Sequence, residues 1–218
     1  LVFRNRFVNA LLVEFEPGDE TLLHIHRKDS LYVFLNGTQV INHVRSGDAC
    51  AAVKAADDRL ERGEIRYGNH AEQPLVHKIC CVGPSAMKCV DIELLEPPPS
   101  PLSSPLQCSS PSTSSSDALV RDRFELVKTR PRVRVYKVTL RSEETVDMAF
   151  PFWAVLIWAS AAQVEFVSTA SSEIKWHERL EAGAITDCGA PRPAESLLCR
   201  NDGEDEAVVY VLELLPKN

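Results

Sequence analysis

Hydrophobic and polar residues alternate along short segments of this chain, which favours β-strands over helices. In the first hundred residues four such segments are rich in β-branched and aromatic residues: 10–15, 31–35, 76–82 and 88–94. Turn signals such as Pro17-Gly18 and Asn36-Gly37 separate the strands. The alanine-rich segment 49–58 fits either a strand or a strand followed by a helical turn. The chain is therefore predicted to be all-β.

A proline- and serine-rich segment, residues 97–117, interrupts this pattern. It has almost nothing to bury and too much proline for a helix or a sheet ladder. We expect a disordered linker between a first domain, residues 1–96, and a second domain, residues 118–218. The many short strands and frequent turns predict a small β-sandwich or barrel in each domain.

The two predicted domains repeat one another. The segment Leu60-Glu-Arg-Gly-Glu-Ile65 recurs as Leu180-Glu-Ala-Gly-Ala-Ile185. In the same way, Asp91-Ile-Glu-Leu-Leu95 recurs as Val211-Leu-Glu-Leu-Leu215, and both pairs are separated by 120 positions. Matches in the same order indicate a duplicated domain.

Composition limits the class of function. The 44% hydrophobic and 25% charged residues are ordinary for a globular protein, and a net charge of −7 argues against a nucleic-acid partner. The longest apolar run, 152–162, is shorter than the ~20 residues that span a bilayer, so we expect a buried strand and no membrane partner. Seven cysteines without a Cys-x-x-Cys pair favour the cytoplasm or another reducing compartment. The first residue is Leu1, which leaves open a targeting segment ahead of it.

Two histidines one residue apart, His24 and His26, give the clearest indication of function. Side chains two apart in a strand project from the same face, so both imidazoles can reach one metal ion. Imidazole is the commonest protein ligand for transition metals, and His77 is the candidate third donor. By the same alternation, Tyr32 and Phe34 are expected to line the cavity beside the histidines. The sequence thus predicts one divalent metal bound by three histidines.

The residues around this pair resemble the first motif of the cupin superfamily. In that motif a glycine precedes His-x-His by five residues, as Gly18 precedes His24 here. A glutamate follows and then, six residues further on, a second glycine. Ser30 takes the place of the glutamate, and Gly37 takes the place of the second glycine.

The second cupin motif is similar to the segment from Gly63 to His77. Its loop, 68–74, is about three residues longer than in the family pattern, and Cys81 stands where the family has asparagine. The resemblance implies two cupin-type jelly-roll barrels, a bicupin, joined by the Pro/Ser-rich linker. The first barrel would bind the metal.

The second half lacks these ligands. Its segment 146–151 contains no histidine, and Leu197 aligns with His77 at the offset of 120 residues. The second barrel is therefore predicted to be degenerate and metal-free. Four residues are expected to pack its core, with an apolar ligand pocket as the alternative: Met148, Phe150, Phe152 and Trp153.

The resemblance implies a mononuclear non-haem metal enzyme. We expect an Fe(II)-type dioxygenase of a small organic acid or thiol, with Mn, Ni or Zn as alternative metals. Three neutral nitrogens without a carboxylate leave the centre more positive, which favours an anionic or thiolate substrate. Ser30 and Tyr67 are the predicted catalytic residues, because they could shape or hydrogen-bond the open coordination positions.

Two other functions stay open. A non-catalytic cupin that binds a small ligand, or has a storage or regulatory role, is favoured by the missing glutamate and by Cys81. A structural zinc site would need a fourth donor, such as His70, Glu72 or a cysteine, although His70 is expected to be a solvated loop residue. A small-molecule substrate or ligand is the expected partner, and a homodimer through the barrel faces stays open.

Overall fold

The computed structural model describes residues 1–45, 53–99, 123–148, 150–168, 175–189 and 197–216. This part of the chain contains eighteen β-strands and no helix, so the all-β prediction is confirmed. The chain divides into two compact units, Leu1–Glu96 and Pro97–Asn218. Of the predicted linker 97–117, only 97–99 are described. No helix within the described ranges is long and apolar enough to cross a membrane.

The first unit contains nine strands. In chain order they are β1 (Phe3–Arg4), β2 (Val8–Phe15), β3 (His24–His26), β4 (Ser30–Phe34), β5 (Thr38–Arg45), β6 (Val53–Leu60), β7 (Ile65–Gly68), β8 (Leu75–Cys81) and β9 (Met87–Leu94). All four alternating segments of the sequence form strands. The segment 49–58 is a strand from residue 53 onward, and its first four residues lie outside the described ranges.

These strands form two antiparallel sheets. Their orders are β1-β2-β9-β4-β7 and β3-β8-β5-β6. The strand β3 pairs with β8, so that His24 lies directly opposite His77. The strand β4 pairs with β9, and there Tyr32 lies opposite Asp91. Chemistry-bearing side chains from both sheets can therefore face one interior.

The second unit repeats this architecture with nine strands. They are β10 (Glu125–Arg130), β11 (Val133–Leu140), β12 (Thr145–Asp147), β13 (Ala154–Trp158), β14 (Ala162–Ser168), β15 (Lys175–Leu180), β16 (Ile185–Gly189), β17 (Leu197–Asn201) and β18 (Ala207–Leu214). The sheet orders, β10-β11-β18-β13-β16 and β12-β17-β14-β15, match those of the first unit strand for strand.

The repeated sequence Leu-Glu-x-Gly-x-Ile forms the same turn in both units. Gly63 has a φ of 82° and Gly183 a φ of 96°, a left-handed conformation in which a side chain would be strained. The amide of Gly63 donates to the carbonyl of Phe34, and that of Gly183 donates to the carbonyl of Trp158. The repeat is visible in the sequence because the backbone needs glycine at this turn.

The two interiors are packed differently. In the second unit the core is large and aromatic, with Phe150, Phe152, Trp158 and Phe166 all buried. The predicted packing role of Met148, Phe150 and Phe152 is confirmed, whereas Trp153 is only partly buried. In the first unit a smaller cluster of buried residues adjoins a cavity: Phe34, Val40, Leu60, Cys81, Met87 and Cys89.

Candidate metal centre

The three predicted histidine ligands meet in the first unit. The imidazoles of His24 and His26 project from β3, and His77 faces them from β8. The ring centroids of His77 lie 4.6 Å from His24 and 5.1 Å from His26. Among the described residues these three form a group whose donor atoms all lie within 4.8 Å of one another.

In each of these histidines the Nδ1 atom faces an oxygen. The partners are the Leu22 carbonyl at 2.8 Å for His24, the Tyr32 hydroxyl at 3.4 Å for His26, and Asn42 Oδ1 at 3.0 Å for His77. An acceptor beside Nδ1 holds the ring proton on that nitrogen and leaves the lone pair on Nε2. The three rings are thus oriented as metal ligands are.

The Nε2 atoms point at a shared space. Those of His24 and His26 lie 3.1 Å apart, and the Nε2 of His77 is buried without a hydrogen-bond partner among the described residues. Two nitrogens bound at about 2.1 Å and at a right angle lie about 3.0 Å apart. An unpartnered buried nitrogen costs free energy unless something binds it. These residues therefore fit a metal ion.

The pKa values of the ligand histidines are suited to this role. Burial, followed by repulsion from the neighbouring imidazoles, lowers the pKa of His77 to about 3 and that of His26 to about 4. Both rings are therefore neutral at neutral pH. Because a metal competes with protons for the same lone pairs, it meets little competition here.

The three histidines border a cavity of about 260 Å³ inside the first unit. Tyr32 and Phe34 line it, as predicted from strand alternation. Most of its other walls are apolar, and include Val13, Phe15 and Ile79. A small molecule that enters this space would be partly desolvated beside the histidines.

Comparisons with known proteins identify the fold. No protein-family model matches the sequence, and no curated protein matches it. The structure is similar to AerE from Microcystis aeruginosa, with a TM-score of 0.64 and 12% identity over 98% of this chain and 90% of that chain. It is also similar to the 7S globulin of Momordica charantia, with a TM-score of 0.57, 11% identity and coverages of 97% and 74%.

A third similar structure is a mutant of Bacillus subtilis oxalate decarboxylase, with a TM-score of 0.57, 11% identity and coverages of 97% and 70%. These neighbours are cupin-fold proteins. The chain has the bicupin fold. Sequence identities this low support the fold alone, so the activity has to be argued from the residues of the site.

His70 corrects one expectation from the sequence. The loop after β7 carries this ring into the cavity, and only 7% of the residue is exposed. The prediction of a solvated loop histidine was therefore wrong. Its Nε2 lies 3.1 Å from the Tyr32 hydroxyl, and burial lowers its pKa. The ring lies against the backbone of Gly68, where any Cβ would overlap it.

Asp91 is a site residue that sequence reasoning missed. This carboxyl group is 7% exposed and lines the cavity, with Oδ2 4.0 Å from His26 Nδ1. Burial, followed by the charge of Glu93, raises its pKa to about 7. Its signal in the sequence is an acidic residue between Val90 and Ile92 in the middle of an apolar strand, where a carboxylate is costly to bury.

The two predicted catalytic residues lie at different places. Ser30 is fully buried, and its hydroxyl is 3.3 Å from the Lys28 carbonyl. The ring of Tyr67 lines the cavity, and its hydroxyl donates to Asp29 at 3.1 Å. Asp29 also accepts the Ala71 amide, so it anchors the loop that carries His70. The catalytic roles of Ser30 and Tyr67 stay predictions.

The suggested fourth zinc donors do not join the three histidines. Glu72 is exposed and accepts a hydrogen bond from Asn69 at 2.9 Å. The Cys81 thiol is buried and contacts the Ser85 carbonyl at 3.5 Å. Within the described ranges, the group of potential ligands is limited to His24, His26 and His77.

Proposed function

We propose that the first barrel binds one divalent metal through the Nε2 atoms of His24, His26 and His77, and that the protein is a mononuclear non-haem metal enzyme. The observation that carries this proposal is the orientation of the rings. Each Nδ1 faces an oxygen while the Nε2 atoms converge, and the Nε2 of His77 is buried without a partner among the described residues.

Fe(II) is the metal we favour, with Mn, Ni or Zn as alternatives. Imidazole nitrogens suit all of these ions, so the donor set alone does not choose among them. One similar structure is described by its Mn(II) centres, in Bacillus subtilis oxalate decarboxylase, which supports a divalent ion in this fold. Fe(II) held by His24, His26 and His77 would supply redox chemistry with O₂.

The proposed reaction is the dioxygenation of a small organic acid or thiol. Three neutral nitrogens leave the charge of a divalent ion uncompensated, so an anionic oxygen or a thiolate is the favoured ligand. The apolar wall residues, such as Val13 and Ile79, keep water away from the bound molecule. The cavity of about 260 Å³ lies just below the volume of pockets for drug-sized ligands, so it suits a small molecule rather than a polymer.

Metal analysis followed by oxygen uptake tests this function. The protein is stripped with a chelator, loaded anaerobically with Fe(II), and mixed with a panel of thiols, diketones and organic acids in an oxygen electrode. We expect one metal per chain and substrate-dependent oxygen uptake, both lost in His26→Ala and kept in His177→Ala. Protein that stays metal-free with Fe, Mn, Ni and Zn contradicts the proposal.

A non-catalytic ligand-binding role is the second candidate. The position of the family's glutamate holds Ser30, whose buried hydroxyl is directed toward the Lys28 carbonyl. In a cupin without this carboxylate, the metal could anchor a ligand without taking part in catalysis. Stoichiometric metal with saturable ligand binding, and no oxygen uptake or product with any member of the panel, would favour this role.

A further inference from the structure

Asp91 is an ionisable group in the cavity wall with an unused hydrogen-bonding atom. Only 7% of the residue is exposed, and Oδ1 has no hydrogen-bond partner among the described residues. The polar groups beside it include the side chain of Ser30 and the Nδ1 of His26, which lies 4.0 Å from Oδ2. One carboxyl oxygen is therefore buried in the cavity wall without a partner.

The fold itself does not require this carboxylate. Asp91 pairs with Tyr32 across β4 and β9, and the same register in the second barrel pairs Val211 with Leu156, both fully buried. A valine at this place is compatible with the same strand pairing. Because an unpartnered buried carboxyl oxygen destabilises a protein, its presence in the first barrel indicates a use.

That use differs from metal binding. Oδ2 of Asp91 faces the Nδ1 side of His26, whereas the converging Nε2 atoms lie on the opposite side of that ring. Asp91 also lines the cavity, so a molecule held beside the histidines would lie against it. A carboxylate accepts hydrogen bonds and donates none, so it selects for a donor on that ligand.

We propose that Asp91 accepts a hydrogen bond from an O–H or N–H group of the molecule in the cavity. This inference rests on the proposed function for the other end of the molecule, which coordinates the metal through an anionic atom. The ligand class is therefore bifunctional: a small acid that carries a hydroxyl or amino group in addition to its metal-binding group. Plain carboxylic acids lack the second group.

Binding measurements on paired ligands test this inference. Isothermal titration of the Co(II)-loaded protein, at a pH above the raised pKa of Asp91 so that the carboxyl group is ionised, compares glycolate with acetate, and lactate, 3-hydroxypropionate and β-alanine with propionate. The same series is repeated with Asp91→Val, which installs the residue of the second barrel, and with Asp91→Asn. Metal content and thermal unfolding are measured for each protein before titration.

The expected result is a coupling between the ligand's donor and Asp91. The measured quantity is the affinity for the substituted acid divided by the affinity for the plain acid. For at least one pair, this ratio should be at least about tenfold higher in wild type than in Asp91→Val, as expected for a hydrogen bond to a charged group. The plain acid should bind both proteins about equally. Asp91→Asn keeps an acceptor but no charge, so it should retain preference for a hydroxyl and lose preference for an ammonium group.

Two outcomes overturn the inference. The first is the absence of coupling in every pair, with Asp91→Val or, if that variant fails to fold, with Asp91→Ala, which also lacks an acceptor. The second is a folded Asp91 variant that no longer takes up Co(II), which would assign the carboxylate to the metal instead. Wild type that takes up no Co(II) counts against the proposed function alone. The same titrations are then run on the metal-free proteins, where the coupling, a difference between ligands, is still measured.

Discussion

The two barrels share strand order and register but have interiors of opposite character. Four polar side chains of the first barrel have apolar counterparts at matching positions of the second: Tyr32 and Leu156, Asp91 and Val211, Asn42 and Phe166, and His77 and Leu197. In the second barrel Phe166 stacks on Trp176 at 5.1 Å and meets Trp158 edge-on at 6.5 Å. The corresponding space of the first barrel is a cavity.

This difference separates what the fold needs from what the site needs. A jelly-roll barrel of this register folds around buried hydrophobic residues, as the second barrel shows. Two of these four polar side chains have a buried atom without a partner among the described residues: His77 Nε2 and Asp91 Oδ1. Such groups weaken a core, so their retention points to ligand binding.

The largest effect is expected from replacing His77 with the residue of the second barrel. His77→Leu removes one of three nitrogens and should abolish stoichiometric metal. Losing a group that only orients a metal ligand weakens binding by about 10–100-fold, so losing the ligand itself should weaken it by more than about 100-fold. Equilibrium dialysis with metal quantification measures this change.

The matched control is His177→Leu in the second barrel. His177 is an exposed histidine on β15 of the second unit, where it lies 3.7 Å from Glu165 and 3.4 Å from Asp202. This variant should bind one metal per chain like wild type. A His77→Leu protein that still holds one metal with wild-type affinity would show that the difference between the barrels does not lie in this ligand.

A smaller effect is expected on the acid sensitivity of the metal-free protein. The pKa of His77 is lowered to about 3, whereas an unfolded histidine titrates near 6.5. As the pH falls below about 6.5, the unfolded chain gains a proton that the folded chain does not, so stability falls. Between pH 6.5 and 4.5 we expect His77 to account for about 2 kcal/mol of this loss.

Urea unfolding in the presence of a chelator, at several pH values, measures this effect. His77→Leu should be less acid-sensitive than wild type over that interval, because leucine does not titrate. It should also be more stable at neutral pH, since it removes the unpartnered Nε2. Equal pH slopes for the two proteins would contradict the lowered pKa of His77.

The third effect concerns the partner of His77. Asn42 Oδ1 lies 3.0 Å from His77 Nδ1, and the second barrel has Phe166 at this position. Asn42→Leu removes the acceptor, so we expect metal affinity to fall by about 10–100-fold while the stoichiometry stays at one. Asn42→Asp keeps an acceptor oxygen and should retain the affinity. If both variants bind metal like wild type, the ring of His77 does not depend on Asn42.

The sequence predicts the fold and the ligands for a physical reason. Strand alternation is periodic and local, so it identifies both the strands and the common face of His24 and His26. Turn glycines such as Gly63 repeat because positive φ restricts the residue type. Long-range pairings are not local, so the opposition of Asp91 and Tyr32 and the inward turn of His70 appear only once the strands are assembled.

The smallest effect is expected at Gly68, where the glycine makes room for a side chain. A Cβ at this position would overlap the ring of His70, which pairs with the Tyr32 hydroxyl at 3.1 Å. Gly68→Ala should therefore destabilise the protein by about 1–2 kcal/mol in urea unfolding, as overpacking does, and change metal affinity by less than about tenfold.

The double variant Gly68→Ala, His70→Ala decides whether this overlap is the cause. With the ring removed, the added methyl group has space, so Gly68→Ala should cost almost nothing in the His70→Ala background. Gly189 holds the matching register in the second barrel, but there φ is 70° and a Cβ would meet no atom within 4 Å. Gly68 leaves room for the ring of His70, whereas Gly189 is required by its positive φ. If Gly68→Ala costs the same stability in wild type and in His70→Ala, this distinction between the barrels is wrong.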